Sequence, residues 1–358
     1  MTTTSFLSRL ITSHLPSAGT TSELADGLTA VAASLDAPSA ATRPFLTVLL
    51  RTQGHRLEPF RDAMLSLAAQ TDRDFNVVVI GHDVDADRVG VIQAIVDDYA
   101  ELLPDPAEFV LVNGGTRARP LNAGFDLATG EYVAVFDDDD LIFANWVEEF
   151  HAAAGQNPGQ LLRAQTATQQ ITAEIWHSGE DGFRTLSWPL AEYAPKFDQL
   201  DHLAANRSPF MSIAFPRRLF TDLGVQADEL LDVCEDWDLI LQGSFLLGVA
   251  DVPALTAIYH RWKTGASSYT RHSETTWRAS ERRVLDKLDS SVLLLAPGQI
   301  DRIRSLLGDE GYRAEYEQMV ASSSWRLTAY LRDARRSTAQ TVARYRVRLA
   351  RAVKRGAR

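Results

Sequence analysis

The chain has 358 residues, 45% of them hydrophobic and 23% charged, which suits one large α/β domain with extensions or two smaller domains. Its formal charge of −11 argues against nucleic acid as the principal partner. That balance is uneven. Residues 326–358 carry eleven Lys or Arg against one acid, Asp333, so a +10 tail follows a body of −21.

The N-terminal MTTTSFLSRLITSHL lacks an unbroken apolar core and a small-residue cleavage pattern, so it does not read as a signal peptide. Residues 1–43 form an extension with one predicted helix, on which Leu24, Leu28, Val31 and Leu35 share a stripe. Pro38 and Pro44 punctuate the start of the main domain, expected over 44–270. An alternating pattern follows. Strands are predicted at Phe45–Leu50, Phe75–Ile80, Phe109–Val112 and Tyr132–Phe136. Helices are predicted between them at Leu57–Gln70, Val89–Glu101 and Pro120–Ala128. Continuously apolar strands alternating with helices predict a mostly parallel α/β sheet covered on both faces.

Further on, Trp146–Ala154 reads as a helix and residues 160–230 as mixed, with β character and many aromatics. Glu235-Asp236-Trp237-Asp238 opens an apolar helix to Leu247, and a strand is expected at Ala254–His260 before a Thr/Ser-rich loop, 264–270. Residues 271–325 read as a helical extension. Cys234 is the only cysteine, which excludes an internal disulfide and a zinc cluster and fits the cytoplasm. No stretch reaches the roughly 18–20 apolar residues of a membrane span.

The most informative feature is the block Asp137-Asp138-Asp139-Asp140, directly after the apolar run Tyr132–Phe136. A buried strand ending in carboxylates gathers hard oxygen ligands at one point, suited to Mg²⁺ or Mn²⁺ and through it to a diphosphate. Charge runs are usually solvated loops, but the ends of strands in α/β sheets are where ligands sit.

Taken together, PFLTVLLRTQGHR, SLAAQT, DFNVVVI, RARPLNAGFDLATGEYVAVFDDDD and CEDWDL resemble the family 2 glycosyltransferases, inverting nucleotide-sugar enzymes of the GT-A fold. The resemblance spans roughly residues 44–265, about 60% of the chain. It implies nucleotide-sugar binding over 44–140 and an acceptor and catalytic half over 141–270. Asp137 and Asp139 match the DxD that holds the cation and the donor diphosphate, with Asp138 beside the donor and Asp140 sharing the metal. Arg117, Arg119 and Asn122 stand where the family contacts the donor. Arginines at a helix N-terminus suit phosphate, though either could equally be a solvated loop residue.

Asp236 matches the proposed general base of the family's Glu-Asp pair, with Glu235 orienting the acceptor or the helix. Acids at a helix start are also ordinary capping. His260 stands where GT-A enzymes often place another metal ligand, although a histidine at a strand end is more often structural. Trp237 and Trp262 read either as a platform for a sugar or as core.

One departure stands out. The family's acidic turn after the second strand is here Gly81-His82-Asp83, leaving Asp83 or Asp85, with Thr52 and Gln53, as candidates for reading the nucleoside.

SSSWRLTAYLR is similar to stretches in bacterial enzymes that build surface polysaccharides. In residues 326–358, Leu327, Leu331, Thr338, Val342, Tyr345, Leu349 and Val353 share one helical face among arginines. Such a helix suits an anionic membrane surface, or else packs on the protein or on a second copy in a homo-oligomer. The expectation is a metal-dependent transferase, cytoplasmic and peripheral to the membrane, moving a sugar from a nucleotide donor to a saccharide or lipid-linked acceptor. Two alternatives stay open: a sugar-phosphate nucleotidyltransferase, for which Arg51-Thr52-Gln53-Gly54 is a poor phosphate loop, and a non-catalytic binding or scaffold subunit.

Overall fold

The computed structural model describes residues 43–175, 181–264, 271–291, 293, 295, 298–307, 316–322 and 325. The helix expected within residues 1–43, most of the Thr/Ser-rich loop and the basic tail lie outside the described residues. The chain divides into two compact units, Met1–Leu294 and Leu295–Arg358.

The first unit opens with the predicted alternation: β1 (Leu46–Thr52), α1 (Leu57–Ala68), β2 (Phe75–His82), α2 (Ala86–Asp98), β3 (Glu108–Val112), α3 (Ala118–Leu127) and β4 (Tyr132–Asp137). These four strands run parallel in the order β3-β2-β1-β4. All seven residues of β1 are buried, because side chains alternate between two packed faces. Leu46, Val48 and Leu50 join Phe60, Met64, Ile92 and Trp146 on one face. Leu49 joins Leu121, Phe125, Leu239 and Ile240 on the other. β3 departs from the expected buried run, since as the edge strand it leaves Leu111 43% exposed.

Gly124 and Gly130 are packing residues. A Cβ on Gly124 would come within 2.7 Å of Leu49 and 2.6 Å of Ile80, so its absence lets α3 settle on the sheet. A Cβ on Gly130 would lie 2.5 Å from the Thr47 amide nitrogen.

The second half completes a mixed sheet of nine strands among the described residues. After β4 come β5 (Leu141–Ile142), α4 (Trp146–Gln156), β6 (Leu161–Ile175) and β7 (Asp181–Thr185). They are followed by α5 (Gln199–Ala204), β8 (Ile213–Pro216), α6 (Arg218–Thr221), α7 (Glu235–Leu247), β9 (Val249–Trp262) and α8 (Glu274–Asp289). β8 runs antiparallel to β4 and to β6, and β9 runs parallel to β6, so the parallel character belongs mainly to the first half.

Two pairings position the site. Arg51 of β1 is the register partner of Asp137 of β4. β2 and β4 flank β1 on opposite sides, so the carboxyl ends of β1 and β4 border the switch-point crevice of an α/β sheet. β5 then pairs with β9, Leu141 opposite Ile258, and so brings His260 to the aspartates.

α8 belongs to the first unit and is held to it by Arg283–Asp228 and Lys287–Asp238 ion pairs at 2.8 and 2.6 Å. In the second unit the described residues include α9 (Gln299–Leu307), whose side chains are exposed or half-buried. No described helix is long and apolar enough to cross a membrane.

Candidate active site

At the end of β1 the apolar run gives way to Arg51, which the register sets beside Asp137. Its guanidinium grips that carboxylate with two hydrogen bonds, Nε to Oδ1 at 2.8 Å and Nη2 to Oδ2 at 3.1 Å. The same group reaches Glu235 at the start of α7, Nη1 to Oε1 at 3.2 Å. Arg117, just ahead of α3, donates Nε to the same Glu235 oxygen at 2.9 Å. Glu235 is only 3% exposed. Burial alone would raise its carboxyl, but Arg117 and Arg51 outweigh that and hold it at about 2. Glu235 is therefore a fixed anion that ties the first half of the sheet to the second.

Its neighbour Asp236 lies under opposite influences. Desolvation and the adjacent Glu235 charge push it up to about 6, against the opposing hydrogen bond from the Trp237 main-chain N–H. That N–H meets Oδ1 at 2.7 Å, and the Asn206 side-chain amide donates to Oδ2 at 2.8 Å. The residue remains half-exposed. Two adjacent carboxyls thus differ in proton affinity through environment alone, one held ionised and one raised towards neutral pH. The helix that carries them starts at Cys234, a non-glycine residue in the left-handed region with φ of 70°. Such a conformation costs roughly 1–2 kcal/mol and is characteristic of functional turns. Burial pushes its thiol up to about 12, which leaves it inert near neutral pH.

The four aspartates have different surroundings. Asp138 accepts from Thr52 Oγ1 at 2.5 Å. Desolvation and Asp139 push it up to about 7. Asp139 accepts from Arg56 and, at 2.8 Å, from the Trp262 indole N–H. The Arg56 guanidinium also lies over the Trp262 ring, 4.3 Å from its centroid. Asp140 is 2% exposed and takes the His260 main-chain N–H at 2.8 Å. Burial and then the Asp139 charge raise it well above the ordinary carboxylate range.

His260 faces the same cluster. Its Nδ1 lies 2.7 Å from the Asp139 carbonyl, which can only accept, so Nδ1 carries the proton and Nε2 keeps a lone pair. Nε2 is buried and has no hydrogen-bond partner. An orphaned imidazole lone pair beside crowded carboxylates is a donor set that suits a hard divalent cation. His260, through Nε2, and carboxylates of the Asp137–Asp140 run are the residues that would hold one. In the present arrangement Asp137 and Asp139 are paired with guanidinium groups, and among the described residues no three His, Cys, Asp or Glu side chains converge on a single metal position.

The remaining predicted residues fall into three groups. Thr52 and Arg117 stand in the cluster. Gln53 is at its rim, where its Oε1 accepts from Arg271 at 2.7 Å, and Arg119 is exposed against Gly115. Asn122 and Asp83 brace loops. The Asn122 amide holds Ala227 in both directions, at 3.0 and 2.8 Å, and Asp83 accepts the Gly114 N–H at 2.6 Å. At Gly81 a Cβ would come within 2.9 Å of both Leu111 and Val84, so apolar side chains fill the space that an acidic residue would take. Trp237 is core, with its indole N–H on the His202 carbonyl at 2.6 Å.

Arg51 entered the sequence reading only within a poor phosphate loop, and Arg56 and Asn206 were not singled out. A charged residue ending a wholly apolar strand could have flagged Arg51. Nothing local marks Asn206.

The sequence profile described as glycosyl transferase family 2 matches residues 56–217. The match spans a little under half of the chain and supports a family 2 glycosyltransferase. The enzyme class that it supports is a glycosyltransferase.

The fold agrees. The structure of S. aureus TarS residues 1–349 in complex with UDP-GlcNAc superposes with a TM-score of 0.51 at 16% identity, covering 69% of this chain and 67% of that one. The likeness identifies the mixed α/β sheet as GT-A. A structure of S. aureus TarS alone is matched over 69% of this chain but 40% of its own, with 16% identity and a TM-score of 0.49. No curated protein sequence matches the chain significantly.

Proposed function

We propose that this glycosyltransferase moves a sugar from a nucleoside diphosphate donor to a hydroxyl of a saccharide or lipid-linked saccharide, with inversion and with the help of a divalent cation. The observation that carries the reading is the contrast between Glu235 and Asp236 in the crevice that also holds Asp137–Asp140. In a single displacement the acceptor oxygen attacks the anomeric carbon, the bond from that carbon to the diphosphate oxygen breaks, and the nucleoside diphosphate leaves. The acceptor's proton passes to the Asp236 carboxylate, whose raised affinity for protons suits a base working near neutral pH. Glu235 stays ionised between Arg51 and Arg117 and holds both guanidiniums towards the crevice. When bound, the cation would neutralise diphosphate charge and favour departure of the leaving group.

TarS binds UDP-GlcNAc in its complex, so UDP is the first nucleotide to try. The filled space at Gly81 means that the nucleoside is read by other residues than the family's acidic turn, and GDP, CDP and dTDP belong in the same panel. Thermal melting of the full chain with each nucleotide, with and without Mn²⁺, tests the reading. One nucleotide should raise the melting temperature only with Mn²⁺, by the equivalent of about 2.7 kcal/mol at a hundredfold excess over its Kd. Asp139→Ala should erase the shift. Failure of every nucleotide under every condition would favour a non-catalytic scaffold instead.

A further inference from the structure

We infer that Asn206 is a positioning residue, which holds the Asp236 carboxylate in its proton-accepting orientation through a buried relay anchored on three elements. The inference rests on Asp236 being the base and deepens that reading.

Asn206 lies in the irregular link between α5 and β8, where periodicity gives no cue. Both ends of its side-chain amide are engaged. Nδ2 donates to Asp236 Oδ2 at 2.8 Å, and Oδ1 accepts the Ser208 main-chain N–H at 3.0 Å. Rotating the amide by half a turn would set its carbonyl against a carboxylate and its NH₂ against another N–H. The amide sense is therefore fixed by its partners.

Ser208 is itself locked. Its side chain is 1% exposed, and Oγ accepts from Arg163 Nε at 3.0 Å. His202 Nδ1 lies 2.9 Å from the Asp198 carbonyl and so carries the proton. Its Nε2, 2.9 Å from Ser208 Oγ, must then accept from that hydroxyl. The Trp237 indole N–H closes the circuit on the His202 carbonyl at 2.6 Å. The relay thus runs from Arg163 of β6 and His202 of α5 through Ser208 to Asn206. Its end is Asp236, one residue from the Trp237 that braces its start.

Two hydrogen bonds, one on each oxygen, fix the rotation of the Asp236 carboxylate and leave a lone pair on each oxygen free. The charged groups that face Asp236 are Glu235, Arg117 and Arg51. A further cation in place of Asn206 would lower its proton affinity and weaken it as a base. A neutral amide orients the carboxylate without that penalty.

The test needs no substrate. In full-length protein labelled with ¹³C at aspartate carboxyls, the Asp236 signal is the one that disappears in Asp236→Asn, and its titration gives a midpoint. Removing a hydrogen bond donated to the charged form should raise that midpoint by about half a unit to one unit in Asn206→Ala. Asn206→Asp keeps the acceptor for the Ser208 N–H but sets a like charge on Asp236, and should raise it further. A cooperative urea transition is the probe for an intact fold, and both variants should keep one. If Asn206→Ala does not fold, the isosteric Asn206→Asp titration decides alone.

An unchanged midpoint in the folded variant overturns the proposal. Failure of the base assignment looks different: Asp236→Asn would then retain sugar transfer, whatever Asn206 does. With the base assignment intact, Asn206→Ala should lower kcat roughly 10- to 100-fold, as expected when a reacting group is misplaced. The donor KM should change less than about twofold, because Asn206 makes no uniform binding contribution.

Discussion

At the level of single residues, the chemistry depends on how two neighbouring carboxyls are separated. If Asp236 is the base proposed above, it must be ionised to accept a proton, and transfer should fall about tenfold per unit below pH 6 and level off above it. A rate flat from pH 5 to 8, measured under saturating donor, would remove Asp236 from the role. Arg51 offers a second prediction. It is 8% exposed and holds two anions from opposite halves of the fold. Arg51→Met leaves Asp137 unpaired by it and Glu235 with Arg117 as its remaining guanidinium. Breaking a buried pair of this kind should cost about 3 kcal/mol, read as a lower urea midpoint at unchanged slope. The acidic pair at the start of α7 was legible in the sequence, while the role proposed for Asp236 came from the family resemblance. Arg51 was not, because its partners lie 86 and 184 residues away and only strand register and the placement of α7 bring them together.

At the level of elements, parallel strands and their helices were readable because β1, β2 and β4 are largely buried on both faces and mostly apolar. The first four strands and three helices accordingly match their expected ranges to within a few residues. The long β6 was not readable, since its LLRAQTATQQITAEI mixes polar and apolar positions and leaves its end exposed. α8 reads in isolation as an ordinary charged helix, yet its Lys287 meets Asp238 of α7, a carboxylate with no solvent exposure. Lys287→Met should leave that charge without its cation and cost about 3 kcal/mol. Adding Asp238→Leu should recover much of the loss, because it removes the fully buried charge while Asp228, the other partner of Lys287, keeps Arg283. Equal destabilisation in the single and double variants, compared by urea unfolding, would mean that the pair does not hold α8 to α7.

Across the whole molecule, the buried relay behind the site couples acid stability to activity. His202 is 2% exposed and buried neutral, and burial pushes its imidazole down to about 4. In the unfolded chain the same group titrates near 6.5. The unfolded state therefore binds the extra proton first, so stability is intact above pH 6.5 and declines as pH falls towards 4. With about 1.36 kcal/mol per unit of difference, His202 alone should remove about 3 kcal/mol between pH 7 and 4. That is a large part of the 5–15 kcal/mol that typically separates folded from unfolded domains. Urea unfolding across this range should be steeply pH-dependent in the wild type and shallower in His202→Gln, which has no titrating ring. The variant's midpoint at pH 7 can be lower without affecting the comparison, since the slope against pH is what isolates the histidine. Parallel slopes would assign the acid loss to carboxylates elsewhere. Two regimes of acid inactivation follow. Near pH 6, with Asp236 in the proposed role of base, its protonation should silence the site reversibly within a folded protein. Nearer pH 4, protonation of His202 withdraws the support of Ser208, and loss of activity becomes loss of fold.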